Sequence, residues 1–177
     1  MPLLHEFKAQ VPDVKPYEEK LLALQPRFVG EDVQTDTYFE VPNGRLKLRE
    51  GAIENALIFY ERENVAATKT SAVRLFKTTD AALKAVLCAA LLVKVVVRKR
   101  RRIYFLGNTK FHFDAVDGLG AFVEVEVIDE TGLGDAGALA SQCEHYRNQL
   151  GILPEQLLAP SYSDLLLAKP APETTPC

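Results

Sequence analysis

Apolar and polar residues alternate one by one in several short runs of this chain, which is the pattern of β-strands with one buried face. Near the N-terminus Glu6 and Lys8 share one face of such a run, and Glu124 and Glu126 share one face of another. Asn43-Gly44, between two of the runs, favours an antiparallel hairpin. The alternation predicts strands over residues 4–8, 36–41, 45–49, 56–63, 93–105, 110–116 and 122–127.

Helical periodicity predicts helices over residues 17–24, 81–90, 138–150 and 161–167. The apolar stretch 81–97 is interpreted as a buried helix that runs into a strand, because two lysines interrupt it and a membrane span needs about 20 nearly uninterrupted apolar residues. The polar segment 65–71 is predicted to be irregular, and the Pro/Thr-rich segment 168–177 to be a disordered tail. One domain over residues 1–167 is therefore expected.

The charged residues of several strands fall on one face. Arg45, Lys47 and Arg49 alternate with leucines, and His112 and Asp114 alternate with phenylalanines. In a single strand such a face simply meets water. When several strands share the pattern, an antiparallel sheet can close on itself, with charges lining the interior and helices covering the apolar outside. We therefore expect an α+β, mainly β fold built as a closed antiparallel barrel with helices packed outside.

The net charge of only −3 over 177 residues gives no global basic field for nucleic acid. In the basic run 98–102, alternation directs Lys99 and Arg101 inward and the other arginines toward solvent; the alternative is a nucleic-acid-binding run.

His5 and His112 are interpreted as structural or surface histidines, because neither has a second histidine at ligand spacing.

The three cysteines show no C-x-x-C spacing, so neither a disulfide framework nor a structural zinc site is expected, and a reducing cytoplasm is the default location. The first residues lack a signal-peptide pattern, since Glu6 and Lys8 interrupt any apolar segment. The chain is predicted to be cytoplasmic, without a membrane partner.

Carboxylates near both ends of the chain and cations in the middle suit a divalent ion shared with a phosphate-bearing substrate, since Mg²⁺ prefers oxygen ligands. The order of motifs resembles the CYTH superfamily, the triphosphate tunnel metalloenzymes, which includes class IV adenylate cyclases, thiamine triphosphatases and inorganic triphosphatases. The resemblance rests on Glu6-x-Lys8, Asp36-Thr37-Tyr38-Phe39, Leu46-Lys47-Leu48-Arg49, Tyr60-Glu61-Arg62, Lys99 through Tyr104, Asp114 through Glu126, and Ser161-Tyr162-Ser163-Asp164. Leu4 stands where the family's Glu-x-Glu-x-Lys motif begins with a carboxylate.

The resemblance implies an eight-stranded barrel whose interior binds a triphosphate with Mg²⁺ or Mn²⁺. It implies metal binding by Glu6, Glu124 and Glu126. It implies phosphate binding by Lys8, Lys47, Arg49, Arg62, Lys99 and Arg101. Lys8, Asp114 and Arg62 are the expected catalytic residues.

Three segments resemble the class IV adenylate cyclase branch, which converts ATP to cyclic AMP and pyrophosphate: Gly107-Asn108-Thr109, the turn Gly118-Leu119-Gly120 and the ending Ser161-Tyr162. An inorganic triphosphatase or a thiamine or nucleoside triphosphatase is the alternative. Because Leu4 replaces a carboxylate, a second alternative is a non-catalytic module that binds polyphosphate or nucleotide. The expected partner is a nucleoside triphosphate or inorganic polyphosphate, not nucleic acid, and the chain is expected to be a monomer or homodimer.

Overall fold

An antiparallel sheet of eight strands dominates the computed structural model, which describes residues 3–61, 69–132 and 134–169. The strands are β1 (Leu3–Val11), β2 (Arg27–Phe39), β3 (Arg45–Glu50), β4 (Ala56–Glu61), β5 (Lys69–Lys77), β6 (Val93–Leu106), β7 (Thr109–Val116) and β8 (Gly120–Asp129). The helices are α1 (Lys15–Leu22), α2 (Ala82–Ala90), α3 (Ala136–Leu150) and α4 (Tyr162–Leu167), with a 3₁₀ turn at Pro154–Gln156. The predicted α+β, mainly β fold is confirmed.

The strand order is β1-β5-β4-β3-β2-β6-β7-β8, and every neighbouring pair is antiparallel. β1 pairs along its whole length with β8, from Leu3↔Asp129 to Val11↔Ala121. On its other edge β1 pairs with β5 over four residues, from Leu3↔Ala72 to Glu6↔Lys69. The strand order therefore returns to β1, and the sheet curls around an interior space.

Strand alternation separates an apolar outer face from a charged inner face. The outer face of β1, β7 and β8 packs beneath α1 and α3, where Phe111 and Val125 are fully buried beside Cys143 of α3. Glu124, between the outward-facing Val123 and Val125, points into the interior. The apolar core thus lies between the sheet and two helices, as expected from the sequence.

Helix α4 departs from the expectation that all helices lie outside. Its N-cap Ser161 accepts a hydrogen bond from the backbone N–H of Asp164, while the Asp164 carboxylate accepts one from the N–H of Ser161. This capping box directs Tyr162 against Phe122, with ring centroids 4.8 Å apart, on the inner face of the sheet. Helix α4 therefore supplies one wall of the interior.

Three predictions about individual elements are wrong. No residue of α2 is buried, and Val86 is 61% exposed, so α2 is not a buried helix. Strand β5 begins at Lys69, within the segment 65–71 predicted to be irregular. Strand β2 begins at Arg27 instead of residue 36, because its first half buries polar residues such as Gln34 and exposes apolar ones such as Val33, the reverse of the usual pattern.

The remaining expectations are only partly tested. Residues 65–68, Arg62 and the tail residues 170–177 lie outside the described residues, so the domain boundary and the disordered tail stay predictions. Cys143 is a free, buried thiol. Within the described segments, no helix is both long and apolar enough to cross a membrane.

Glu18 attaches α1 to the sheet. Its buried carboxylate accepts hydrogen bonds from Arg102, at 2.7 Å, and from the hydroxyl of Tyr104, at 2.6 Å. Glu18→Ala should lower the free energy of unfolding by about 1–3 kcal/mol, because the buried Tyr104 hydroxyl loses its acceptor and Arg102 loses its carboxylate partner. Chemical denaturation measures this. Glu19→Ala, at an exposed position of the same helix, is the control, and equal losses in the two variants would contradict the assignment.

Candidate active site

The interior of the curled sheet contains a cavity of about 380 Å³. Its wall is charged on one side and apolar on the other. Among the described lining residues, the cations are Lys8, Lys47, Arg49, Lys77, Lys99, Arg101 and Lys110, and the carboxylates are Glu6, Glu54, Glu124 and Glu126. The apolar part is formed by Leu4, Ile53, Ala56, Ile58, Val73 and Leu75.

Asp36 of β2 gathers three of these cations. Its carboxylate accepts hydrogen bonds from Lys47 at 3.0 Å, from Arg49 at 2.8 and 2.9 Å, and from Lys99 at 3.0 Å. Burial alone would raise the pKa of Asp36, but the three cations hold it well below its usual range. Asp36 is 1% exposed and does not line the cavity, so it positions the cations that do.

The pKa of Lys99 is subject to two opposing effects. Burial, followed by repulsion from Arg101 and Arg49, lowers the pKa of Lys99 well below its ordinary value, and Asp36 opposes this change. An anion placed in the cavity next to Lys99 would favour its charged form. The structure therefore has more cationic than anionic charge around Asp36.

A second group of ion pairs surrounds Arg101 of β6. Its guanidinium donates to both oxygens of Asp114, at 2.7 and 2.6 Å, and to Glu124 at 2.7 Å. Lys8 lies 3.0 Å from the other oxygen of Glu124, and the hydroxyl of Tyr162 donates to Asp114 at 2.7 Å. Asp114 is fully buried outside the cavity lining, so its contact with the cavity runs through Arg101.

Glu54 is a cavity residue that the sequence analysis missed. Buried Asp32 accepts hydrogen bonds from the backbone N–H groups of Ala52, Ile53 and Glu54, at 2.7, 3.1 and 2.9 Å, and so folds the loop after β3 inward. Gly51 permits this approach, because a Cβ there would lie 2.6 Å from Asp32 Oδ2. The Glu54 carboxylate is then bound by Arg49 at 3.1 Å and by Lys110.

His112, Glu124 and Glu126 form a group with the composition of a metal site. One ligand atom from each lies within 4.8 Å of the other two. His112 Nδ1 is 3.3 Å from Glu124 Oε2 and 3.7 Å from Glu126 Oε1. Burial lowers the pKa of His112 to about 3, with help from Arg101 and Lys110, so the imidazole is neutral. Burial raises the pKa of Glu126 to about 7, and the nearby Glu124 and Glu6 act in the same direction.

Most of the side chains selected from the sequence meet at this cavity. Glu6, Lys8, Lys47, Arg49, Lys99, Arg101, Glu124 and Glu126 all line it. Asp114 lies behind Arg101, and Arg62 lies outside the described residues. The roles given to these residues stay predictions. In the run 98–102, Arg98 and Arg100 are exposed, and Arg102 is paired with Glu18 on the outer face.

Of the two alternatives expected for His112, the surface one is wrong, because the side chain is completely buried; its Nδ1 lies 3.3 Å from Glu124, which fits a hydrogen-bonded histidine. A search for a second histidine could not find this group, since its partners are glutamates on the neighbouring strand. The strand pairing His112↔Glu124 brings them together.

Comparison with known proteins agrees with this arrangement. The CYTH domain profile matches residues 5–150. The chain belongs to the CYTH domain family. This confirms the resemblance drawn from the motifs. Adenylate cyclase CyaB of Aeromonas hydrophila is 29% identical over 171 residues, which cover 90% of this chain and 86% of that protein.

Solved structures of archaeal proteins share the fold of this CYTH chain. The PH1012 protein of Pyrococcus horikoshii OT3 superposes with a TM-score of 0.79 at 24% identity, over 92% of this chain and 98% of that one. A Pyrococcus furiosus protein superposes with a TM-score of 0.76 at 24% identity, over 92% and 99% of the respective chains.

Removal of the Asp36 charge tests the first group of ion pairs. Asp36→Asn should lower the free energy of unfolding of the ligand-free protein by about 3–5 kcal/mol, because three cations lose their buried counter-charge. Urea denaturation measures the difference. The control is Glu31→Gln, which removes an exposed partner of Arg100 at 3.4 Å and should change stability by no more than about 0.5 kcal/mol. A wild-type stability for Asp36→Asn would contradict the role of Asp36.

The raised pKa of Glu126 predicts a pH dependence of stability. Between pH 4.5, the ordinary value, and about pH 7, the folded metal-free protein holds a proton on Glu126 that the unfolded chain releases. Stability from this group is therefore complete below the unfolded pKa and is lost as the pH rises through the folded one. Glu126→Gln should remove this loss, a difference on the order of 2–3 kcal/mol.

Unfolding curves recorded with a chelator between pH 5 and about pH 8 measure this effect. The quantity of interest is the difference between wild type and Glu126→Gln at each pH. Glu155→Gln, at an exposed position, should follow the wild type throughout. A difference between wild type and Glu126→Gln that does not change with pH would show that the Glu126 pKa is not raised.

Proposed function

We propose that this CYTH chain is a metal-dependent enzyme that converts ATP to cyclic AMP and pyrophosphate inside its curled sheet. The observation that carries the proposal is the composition of one cavity: a set of cations, a metal-binding group at its edge and an apolar wall opposite. Membership of the CYTH family and the similarity to a protein named adenylate cyclase CyaB support an enzyme that acts on triphosphates.

The carboxylates fit a divalent ion. Glu126 is 18% exposed, faces the cavity and is repelled by Glu124 and Glu6, so a cation there would relieve the repulsion. Glu6, Glu124 and Glu126 would hold Mg²⁺ or Mn²⁺. When bound, the ion would neutralise charge on phosphate oxygens.

The cations would bind the triphosphate. Arginine can contact two phosphate oxygens with its planar fork, and lysine supplies a compact charge. Arg49, Lys47 and Lys99 are already held side by side by Asp36, so they need little reorganisation when an anion enters. Lys8 and Arg101, both bound to Glu124, lie at the boundary between these cations and the metal-binding group.

Cyclisation requires the ribose 3′-oxygen to attack the α-phosphorus in line with the leaving pyrophosphate. The 3′-hydroxyl passes its proton to solvent water as the bond from O3′ to the α-phosphorus forms. The bond from the α-phosphorus to the bridging oxygen breaks, and pyrophosphate leaves with its charge bound by cations. Asp114, the predicted catalytic carboxylate, would serve by positioning Arg101 rather than by contacting substrate. Lys8 would bind the phosphate nearest Glu124, and Arg62 keeps its predicted role.

The apolar wall favours an organic triphosphate over inorganic tripolyphosphate. Ile58 of β4, Leu75 of β5 and Ile53 of the inward loop offer no hydrogen-bonding groups to phosphate. They can pack against a base or a sugar. A cavity designed only for inorganic tripolyphosphate would have no use for such a surface.

A substrate panel tests the reaction. ATP, GTP, thiamine triphosphate and tripolyphosphate are each incubated with Mg²⁺ or Mn²⁺, and the products are resolved by phosphorus NMR. We expect cyclic AMP and pyrophosphate from ATP. Release of orthophosphate would instead identify a triphosphatase, and tight calorimetric binding without product would identify a binding module.

Lys99→Met should abolish most of the turnover and reduce the rise in melting temperature caused by ATP. The substitution removes a cation of the cavity but leaves a side chain of similar length. Arg100→Ala is the matched control, since the neighbouring Arg100 points to solvent. Loss of ATP-dependent stabilisation in Arg100→Ala, with Lys99→Met unaffected, would place the phosphate site on the other face of β6.

A further inference from the structure

The metal-binding group of this chain differs from the family motif at Leu4. Leu4 stands where the motif has its first carboxylate, and its side chain lines the cavity, so a carboxylate there would face the metal-binding group. Glu6, two residues further along β1, lies directly opposite Glu126 in the strand register. The site therefore lacks one oxygen ligand on the β1 side.

His112 approaches the same group from β7. Its imidazole is completely buried, and Nδ1 faces both Glu124 Oε2 and Glu126 Oε1, at 3.3 and 3.7 Å. Ligand atoms about 2.1 Å from one ion and at right angles to each other lie about 3 Å apart, so the distances from Nδ1 to the two oxygens are close to this spacing. Glu124 Oε2 also accepts a hydrogen bond from Arg101 at 2.7 Å.

The polar partners of this group are incomplete, which points to a cation at this place. Within the described part of the chain, Glu126 accepts no hydrogen bond although it is largely buried; Glu124 and Glu6 repel it, and Lys110 and Arg101 attract it. Nδ1 of His112 makes one long contact, at 3.3 Å, with Glu124, and Nε2, on the other side of the ring, is buried without a hydrogen-bond partner in the described structure. This is less hydrogen bonding than a buried histidine usually has.

We propose that His112 is a ligand of the divalent ion in this chain, together with Glu124 and Glu126. An imidazole in the ligand set, with a leucine instead of a carboxylate at Leu4, makes the site prefer Mn²⁺ to Mg²⁺. Mg²⁺ demands oxygen ligands in nearly ideal octahedral geometry, whereas first-row transition ions bind imidazole nitrogen more tightly. The inference rests on the metal dependence of the proposed function, but not on the reaction.

Metal binding without any nucleotide tests the selectivity. Free Mn²⁺ is measured by electron paramagnetic resonance during titration of the protein, and Mg²⁺ is added as competitor. Wild type should bind Mn²⁺ at least about 10-fold more tightly than Mg²⁺. His112→Gln should lose about 10-fold or more of its Mn²⁺ affinity with little change for Mg²⁺, and Leu4→Glu should gain Mg²⁺ affinity.

His145→Gln, at an exposed position of α3, is the matched control and should leave both affinities unchanged. Equal wild-type affinities for the two ions would overturn the selectivity. Unchanged Mn²⁺ affinity in folded His112→Gln would overturn the role of His112.

A spectroscopic measurement on the wild-type protein avoids the risk that a variant of this buried residue fails to fold. Electron spin echo modulation of bound Mn²⁺ identifies a directly coordinated nitrogen by the size of its hyperfine coupling. We expect imidazole nitrogen modulation that changes on ¹⁵N-histidine labelling, and its absence would refute ligation by His112. A chain that shows this modulation but forms no cyclic AMP would refute the proposed reaction and leave the metal site standing.

Discussion

Ion pairs between inward-facing side chains are the interaction on which this fold depends. The sheet has its apolar core outside, against α1 and α3, and therefore buries charge on its inner face. A buried charge is tolerated only with a partner. Asp36 provides it for Lys47, Arg49 and Lys99, and the pair Asp114 and Glu124 provides it for Arg101.

This arrangement links stability to ligand binding. The cations lie at fixed positions because carboxylates on neighbouring strands hold them, so the cavity is prepared for an anion before one arrives. Asp36 and Asp114 stay behind the cavity wall, while Lys47, Arg49, Lys99 and Arg101 line it. Phosphate oxygens can therefore contact these cations from the front without displacing the two aspartates. The carboxylates around Glu126 carry the opposite charge to these cations. The site for a metal ion and the site for the phosphates are therefore separate parts of one cavity.

Alternation in the sequence was sufficient to predict much of this. Strands with a charged inner face, the inward direction of Lys99 and Arg101, and the outward direction of Arg100 follow from a period of two residues. The resemblance to the family added the eighth strand, and the roles that it implies for the glutamates stay predictions. The first half of β2 escaped prediction because Asp32 and Gln34 are buried and Val33 is exposed, the opposite of what hydrophobicity indicates.

Contacts between residues that are distant in the chain could not be predicted from the sequence. Glu54 reaches the cavity only because Asp32, on another strand, binds the backbone of its loop. Tyr162 reaches it because the capped start of α4 lies against Phe122. His112 looked isolated because its glutamate partners are on β8, and only the strand register reveals them. Each of these needs tertiary structure, which neither spacing nor composition contains.

The central claim is that the paired cations and the glutamate group form one site for a metal–triphosphate complex. A crystal structure with Mn²⁺ and a non-hydrolysable ATP analogue tests this most directly. The account predicts an anomalous scattering peak between Glu124 and Glu126, with phosphate oxygens bound to Arg49, Lys99 and Arg101. An analogue bound outside the curled sheet, for instance on the exposed Arg98 and Arg100, with no Mn²⁺ peak at the glutamates, would contradict it.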